Sequence, residues 1–151
     1  MNDRIGKQEQ PAVTPQIRAM VVEDSPVAMR ALANLLEMHS LIKCVGTASD
    51  GQEGLKLIEE YEPDLVLVDM EMPGLGGLGL VERLRKQFPA MRLVIVSTHE
   101  GHVWQQLSQR HGADAFMAKQ RLHDNFAELL RRLFPGAGAP GTAMAHKELT
   151  K

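Results

Sequence analysis

Cys44 is the single cysteine among 151 residues, so the chain cannot close an internal disulfide. That usage fits a reducing compartment, and a cytoplasmic protein is expected. Excess charge of one sign is missing too. Seventeen Lys and Arg against nineteen Asp and Glu leave a formal net charge of −2. No basic surface is advertised, so neither direct nucleic-acid binding nor attraction to anionic membranes is expected. No apolar run approaches the ~18 residues that span a bilayer, and the polar stretch Met1–Gln16 lacks the apolar core of a signal peptide. What is present, 44% hydrophobic residues in 16.7 kDa, suffices for one domain with its own core.

Composition divides the chain in three. Met1–Gln16 holds two prolines and no apolar periodicity, and is expected to be a flexible arm. From Pro135 the run Pro-Gly-Ala-Gly-Ala-Pro-Gly opens a tail, 135–151, that reads as a flexible linker. Between them, residues 17–134 alternate strand-like and helix-like segments five times. The strands are expected at Ile17–Val22, Lys43–Ala48, Leu65–Val68, Arg92–Val96 and Ala115–Lys119. Most are short and apolar throughout, as strands covered on both faces are. Ser25-Pro26 is a helix start, a capping hydroxyl before a proline at the first helical position. Asp50 with Glu53 repeats the capping logic for a second helix carrying Leu55 and Ile58. Val81, Leu84 and Phe88 mark a third helix, and Val103 with Leu107 a fourth. Phe126, Leu129, Leu130 and Leu133 trace the apolar stripe of the fifth. Alternation of this kind predicts an α/β fold, a doubly wound parallel sheet with helices on both faces.

In such folds ligands bind beyond the carboxyl ends of the strands, where the winding reverses. The residues there are Glu23, Asp24, Asp69, Ser97 with Thr98, and Lys119. A lone strand-end aspartate is ordinarily a turn or cap residue; the combination is more specific. Three carboxylates gathered together repel one another unless a cation compensates. Mg²⁺ suits them, since it takes oxygen ligands from one or two carboxylates together with water and phosphate oxygens. Lys119 and Ser97 could hold phosphoryl oxygens, and an aspartate can itself become an aspartyl phosphate. Phosphoryl transfer needs mainly positioning and charge neutralisation.

Here the sequence closely resembles the response-regulator receiver domain of two-component signalling, the CheY-like family. The resemblance is carried by Val22-Glu23-Asp24-Ser25, by Asp50-Gly51-Gln52-Glu53-Gly54-Leu55, and by the run from Asp64 to Gly74 with Gly77 beyond it. Val94-Ile95-Val96-Ser97-Thr98 and Gly112 through Lys119 complete it, in order, across the whole of 17–134. It implies a flavodoxin-like (βα)5 fold with five parallel strands in the order 2-1-3-4-5. Asp69 is then the phosphoacceptor, and Glu23 and Asp24 with Asp69 hold Mg²⁺. The backbone carbonyl of Glu71 is a further metal ligand, its side chain not needed. Ser97 is the switch hydroxyl with Thr98 beside it, and Lys119 binds the phosphoryl group. The implied partners are a sensor histidine kinase or phosphotransfer protein, and a downstream protein target or effector domain reached through the face of helix 4, strand 5 and helix 5. The protein is expected to be a signalling module and not an enzyme, beyond assisting its own phosphorylation and dephosphorylation.

Three positions depart from the family pattern. Gln120 follows the lysine where proline is common, Phe116 stands in place of a switch tyrosine, and Gly76 replaces an aspartate or asparagine. These keep open a second reading, a pseudo-receiver that binds partners without being phosphorylated. A third, a phosphohydrolase of the haloacid dehalogenase type, is suggested by Asp69-Met70-Glu71 alone. It fits poorly, because the nucleophile there sits on the first strand with an aspartate two residues later. Trp104 is read either as a residue at the core edge or as an aromatic anchor for a partner. Cys44 is read as a small core residue, and the six histidines as surface or helix-edge residues, with His99 and His102 near the pocket mouth.

Overall fold

Runs rich in Val, Ile and Leu form the middle of the molecule. In the computed structural model, which describes residues 16–137, they are β1 (Ile17–Val22), β2 (Ile42–Ala48), β3 (Leu65–Asp69), β4 (Arg92–Ser97) and β5 (Ala115–Ala118). All pair in parallel, in the order β2-β1-β3-β4-β5, as expected. The helices between them are α1 (Pro26–Glu37), α2 (Gly51–Tyr61), α3 (Gly76–Gln87), α4 (His102–Arg110) and α5 (Lys119–Leu133). The arm 1–16, but for Gln16, and the tail from 138 onward lie outside the described residues. The tail's first residues, 135–137, are described, and Ala137 packs against the core.

Alternation along each strand sends neighbouring side chains to opposite faces, and each face has its own core. Ile17, Ala19, Val21, Leu65, Leu67, Val94 and Val96 face α1 and α5, where Leu32, Leu36, Phe126 and Leu129 are buried. Met20, Val22, Val66, Val68 and Ile95 face α2 and α3, meeting Ile58, Leu80 and Leu84. The helix starts follow the chemistry expected of them. Ser25 Oγ accepts the Ala28 N–H at 3.2 Å, with Pro26 in the first turn. Asp50 Oδ1 accepts the Glu53 N–H at 2.8 Å, and Glu53 reaches back to the Ser49 N–H at 2.9 Å, closing a reciprocal cap.

Two expectations need correction. Lys119 does not end the fifth strand: β5 stops at Ala118 and α5 begins at Lys119. A proline at 120 would disfavour the helical region for Lys119; Gln120 imposes no such restriction, and the helix starts at once. The buried stripe of α4 is also displaced by one residue. Val103 is 71% exposed, while Trp104 packs against the α2/α3-side core beside half-buried Leu107. Cys44, read as a small core residue, is half-buried and packs against the α1/α5-side core; burial raises its pKa, partly opposed by its contact with the Gly46 carbonyl.

At the amino ends of β4 and β5, Asp114 acts as a tie. Its Oδ2 accepts the Leu93 N–H at 2.8 Å and an Arg85 N–H at 2.5 Å, and Arg85 also caps the carbonyls of Pro89, Met91 and Gly112. Asp114→Ala leaves a strand N–H and part of a guanidinium without their acceptor. It is expected to cost about 1–3 kcal/mol in urea unfolding, with little effect on chemistry at the opposite rim.

Candidate functional site

Strand register brings the rim residues together. Val22 pairs with Val68, so Glu23 and Asp69 emerge side by side at the carboxyl ends of β1 and β3. Asp69 pairs with Val96, which places Ser97 one step further along β4. Ser97 pairs with Ala118, which places Lys119 one step beyond β5. Because the chain passes from β1 outward to β2 and returns as β3, the winding reverses between β1 and β3. That is where this fold forms a crevice.

Glu23, Asp24 and Asp69 each offer an oxygen within 4.8 Å of the others. Glu23 and Asp69 are buried and Asp24 is exposed. Lys119 Nζ sits between the two buried acids, 2.9 Å from Glu23 Oε1 and 3.2 Å from Asp69 Oδ1. Lys119 is thus the partner of the buried Glu23 Oε1 among the described residues. Glu23 Oε2 accepts the Ser25 N–H at 3.1 Å, which fixes the carboxylate against the start of α1. Asp69 Oδ1 also receives the Glu71 N–H, at 3.4 Å.

Electrostatics follows from this crowding. Burial first, and repulsion from Glu23 second, push the Asp69 pKa from 3.8 up to about 7 despite Lys119 beside it. Burial pulls Lys119 downward, but contact with Glu23 and Asp69 outweighs it and holds the ammonium above its ordinary value. Three carboxylates against one ammonium leave negative charge in excess at a largely buried rim. That donor set, all oxygen and partly open to solvent through Asp24, fits a small divalent cation.

Glu23, Asp24, Asp69 and Lys119 therefore converge as expected. Ser97 lies at the same rim, but its hydroxyl donates to Glu71 Oε2 at 2.6 Å instead of to Asp69. Thr98 is exposed beside it. The Glu71 side chain, expected to stand aside, is engaged: His99 Nε2 lies 3.4 Å from the same Oε2, and the His99 ring stacks on Trp104 at 4.5 Å. Nothing in the sequence separated this contact from an ordinary loop carboxylate. Gln120 and Arg121 both donate to Glu100, joining the loop after β4 to the start of α5.

Close backbone packing fixes Asp69 from behind. A Cβ on Gly77 would lie 2.1 Å from the Asp69 carbonyl oxygen and 2.8 Å from Met70 Cα. Gly76 adopts φ +78°, a conformation that glycine takes without strain, so its departure from the family pattern has a local use.

Comparison with known proteins agrees with the fold. The family described as response regulator receiver domain matches residues 19–131. The nitrate/nitrite response regulator protein NarL of Escherichia coli K12 is 33% identical over 119 residues, 78% of this chain and 54% of its own length. A protein-glutamate methylesterase/protein-glutamine glutaminase of Methanospirillum hungatei is 37% identical over 115 residues, 75% of this chain and 34% of its own. The crystal structure of the response regulator domain of Thermotoga maritima CheB superposes with a TM-score of 0.71 at 29% identity, covering 78% of this chain and 96% of that one. The chain thus spans about half or less of the curated relatives it matches. The expectation that the protein is not an enzyme is corrected by the Methanospirillum relative and by others of the same name, which are enzymes carrying a segment like this one. Among the described residues, no helix is long and apolar enough to cross a membrane. Sheet order, the acidic rim and the match across residues 19–131 together establish that this chain belongs to the response-regulator receiver domain family of two-component signalling.

Proposed function

We propose that the unit 17–134 accepts a phosphoryl group on Asp69 and uses it to switch protein–protein contacts. The observation that carries this reading is the convergence of Asp69, Glu23, Asp24 and Lys119 within hydrogen-bonding or metal-bridging reach at one crevice. An Asp69 carboxylate oxygen attacks phosphorus on the phosphohistidine of a histidine kinase or phosphotransfer protein. A P–O bond forms, the P–N bond breaks, and the imidazole nitrogen leaves with the bonding pair and takes up a proton. Glu23, Asp24 and Asp69, with the backbone carbonyl of Glu71, would hold Mg²⁺, which supplies charge neutralisation to the phosphoryl oxygens. Lys119 pairs with one such oxygen and Ser97 donates to another. Thr98 borders the same opening.

Modification adds charge and three acceptor oxygens at Asp69. Ser97 and Lys119 root the segments leading into α4 and α5, so drawing them inward moves the α4/β5/α5 face. A shallow cleft on that face, lined by His102, Gln105, Phe116, Met117 and Arg121, suits a partner or effector domain. The size of the switch is set by how differently the two states contact the phosphoryl group.

The test is labelling of the full chain from acetyl phosphate. Label is expected with Mg²⁺ and is expected to fall about 100-fold on chelation. Mg²⁺ alone is expected to raise the thermal midpoint, because it binds the folded state selectively. Labelling indifferent to chelation removes the metal assignment.

A further inference from the structure

A serine hydroxyl has one hydrogen to donate. In Ser97 it goes to the Glu71 carboxylate at 2.6 Å, the short distance of a charge-assisted bond, while Oγ accepts the His99 N–H at 3.0 Å. The one donor of the hydroxyl is thereby committed to Glu71 and not to Asp69. The same Glu71 oxygen faces His99 Nε2 at 3.4 Å, and His99 lies flat on Trp104, with 19° between the rings. Ser97 is fully buried, Glu71 and His99 are partly exposed, and Trp104 is packed into the core edge at the start of α4. A continuous chain of contacts thus runs from the crevice to α4.

We infer that the Glu71 side chain is a positioning residue, a latch that holds the Ser97 hydroxyl off the phosphoryl position and ties its release to the His99–Trp104 stack. The inference rests on Asp69 being the phosphoacceptor. To donate to a phosphoryl oxygen, Ser97 must first give up Glu71. Glu71 then loses its donor and can re-seat, and through its contact with His99 that change reaches the ring stacked on Trp104. The affinity of the modified state is lowered by the strength of the resting bond, since only the difference between the two states counts. The Trp104 stack is the element placed to register the event, since His99 touches both Glu71 and the indole.

Trp104 is the only tryptophan, so its emission reports this stack directly. The experiment titrates the full chain with beryllofluoride and Mg²⁺, reading occupancy by fluorine NMR and the stack by Trp104 emission. Wild type is expected to bind and to change its emission. Glu71→Ala is expected to show resting emission shifted toward the bound form, and binding tightened roughly three- to tenfold. Glu71→Gln, which keeps an acceptor for Ser97, is expected to retain the wild-type resting emission and to tighten less. In a Ser97→Ala background, Glu71→Ala is expected to bring no further tightening. Equal tightening with and without Ser97 would show that Glu71 acts only through its charge, and would overturn the latch. So would binding to wild type that leaves Trp104 emission unchanged. If wild type fails to bind beryllofluoride at all, the phosphoacceptor reading itself fails and the latch goes with it.

Discussion

Asp69→Asn is expected to abolish phosphoryl labelling, by at least about 100-fold, while making the unmodified fold more stable. The amide lacks the nucleophilic oxygen charge, so transfer stops. The stability gain follows from the direction of the Asp69 pKa. Its folded value, about 7, lies above the ordinary 3.8, because burial and Glu23 disfavour the charged form. Between those values the folded protein binds a proton that the unfolded chain releases. Wild-type stability therefore declines as pH rises through that window, and the cost is fully present above it. Asparagine resembles the protonated acid and carries no such cost. In urea unfolding with chelator, the variant is expected to match wild type near about pH 4 and to exceed it by on the order of 2 kcal/mol near about pH 8. Addition of Mg²⁺ is expected to narrow the gap, since the cation compensates the wild-type charge. A variant less stable than wild type at the higher pH contradicts this electrostatic account.

The second large effect is expected at Gly77→Ala. α3 packs its first turn directly onto the end of β3, and the added methyl group would meet backbone atoms, the Asp69 carbonyl oxygen at 2.1 Å. No flexible side chain can yield there, so either α3 or the Asp69 segment must shift. Overpacking of this kind costs about 1–3 kcal/mol when side chains can adjust, and more when backbone must move. Gly77→Ala is expected to lose about 3 kcal/mol or more in urea unfolding and to reduce labelling of Asp69 in the protein that still folds. Gly79→Ala is the control on the same helix. Its new Cβ meets only the Leu75 side chain, at 3.1 Å, so a smaller loss is expected.

Much of this site was legible before any coordinates, for a physical reason. An apolar strand that ends in a carboxylate must end at the sheet's rim, since the charge cannot follow into the core. Two such strands, β1 and β3, lie side by side in parallel register, so Glu23 and Asp69 reach one edge, and Ser97 at the end of β4 reaches the same edge. Capping chemistry placed α1 and α2 through Ser25 and Asp50. The phase of α4 was not legible. That helix has nine residues, too few for one apolar stripe to dominate, and Trp104 can bury more surface than Val103. The role of the Glu71 side chain was hidden because it depends on where two loops meet. Residues 71 and 97 are 26 positions apart, and no local spacing reports a contact between them. The start of α5 at Lys119 was not legible either, because the apolar run Ala115–Ala118 leads into the helix with no capping side chain to mark the boundary.

The central claim is that Asp69 carries the phosphoryl group, and the most direct measurement locates it chemically. The full chain is labelled with acetyl phosphate and Mg²⁺, reduced with borohydride, and its peptides are sequenced by mass spectrometry. An acyl phosphate is reduced to the alcohol, so homoserine is expected at position 69, with Glu23 and Asp24 unchanged. Unreduced Asp69 in a labelled chain, with the modification on a histidine or another carboxylate, contradicts the account.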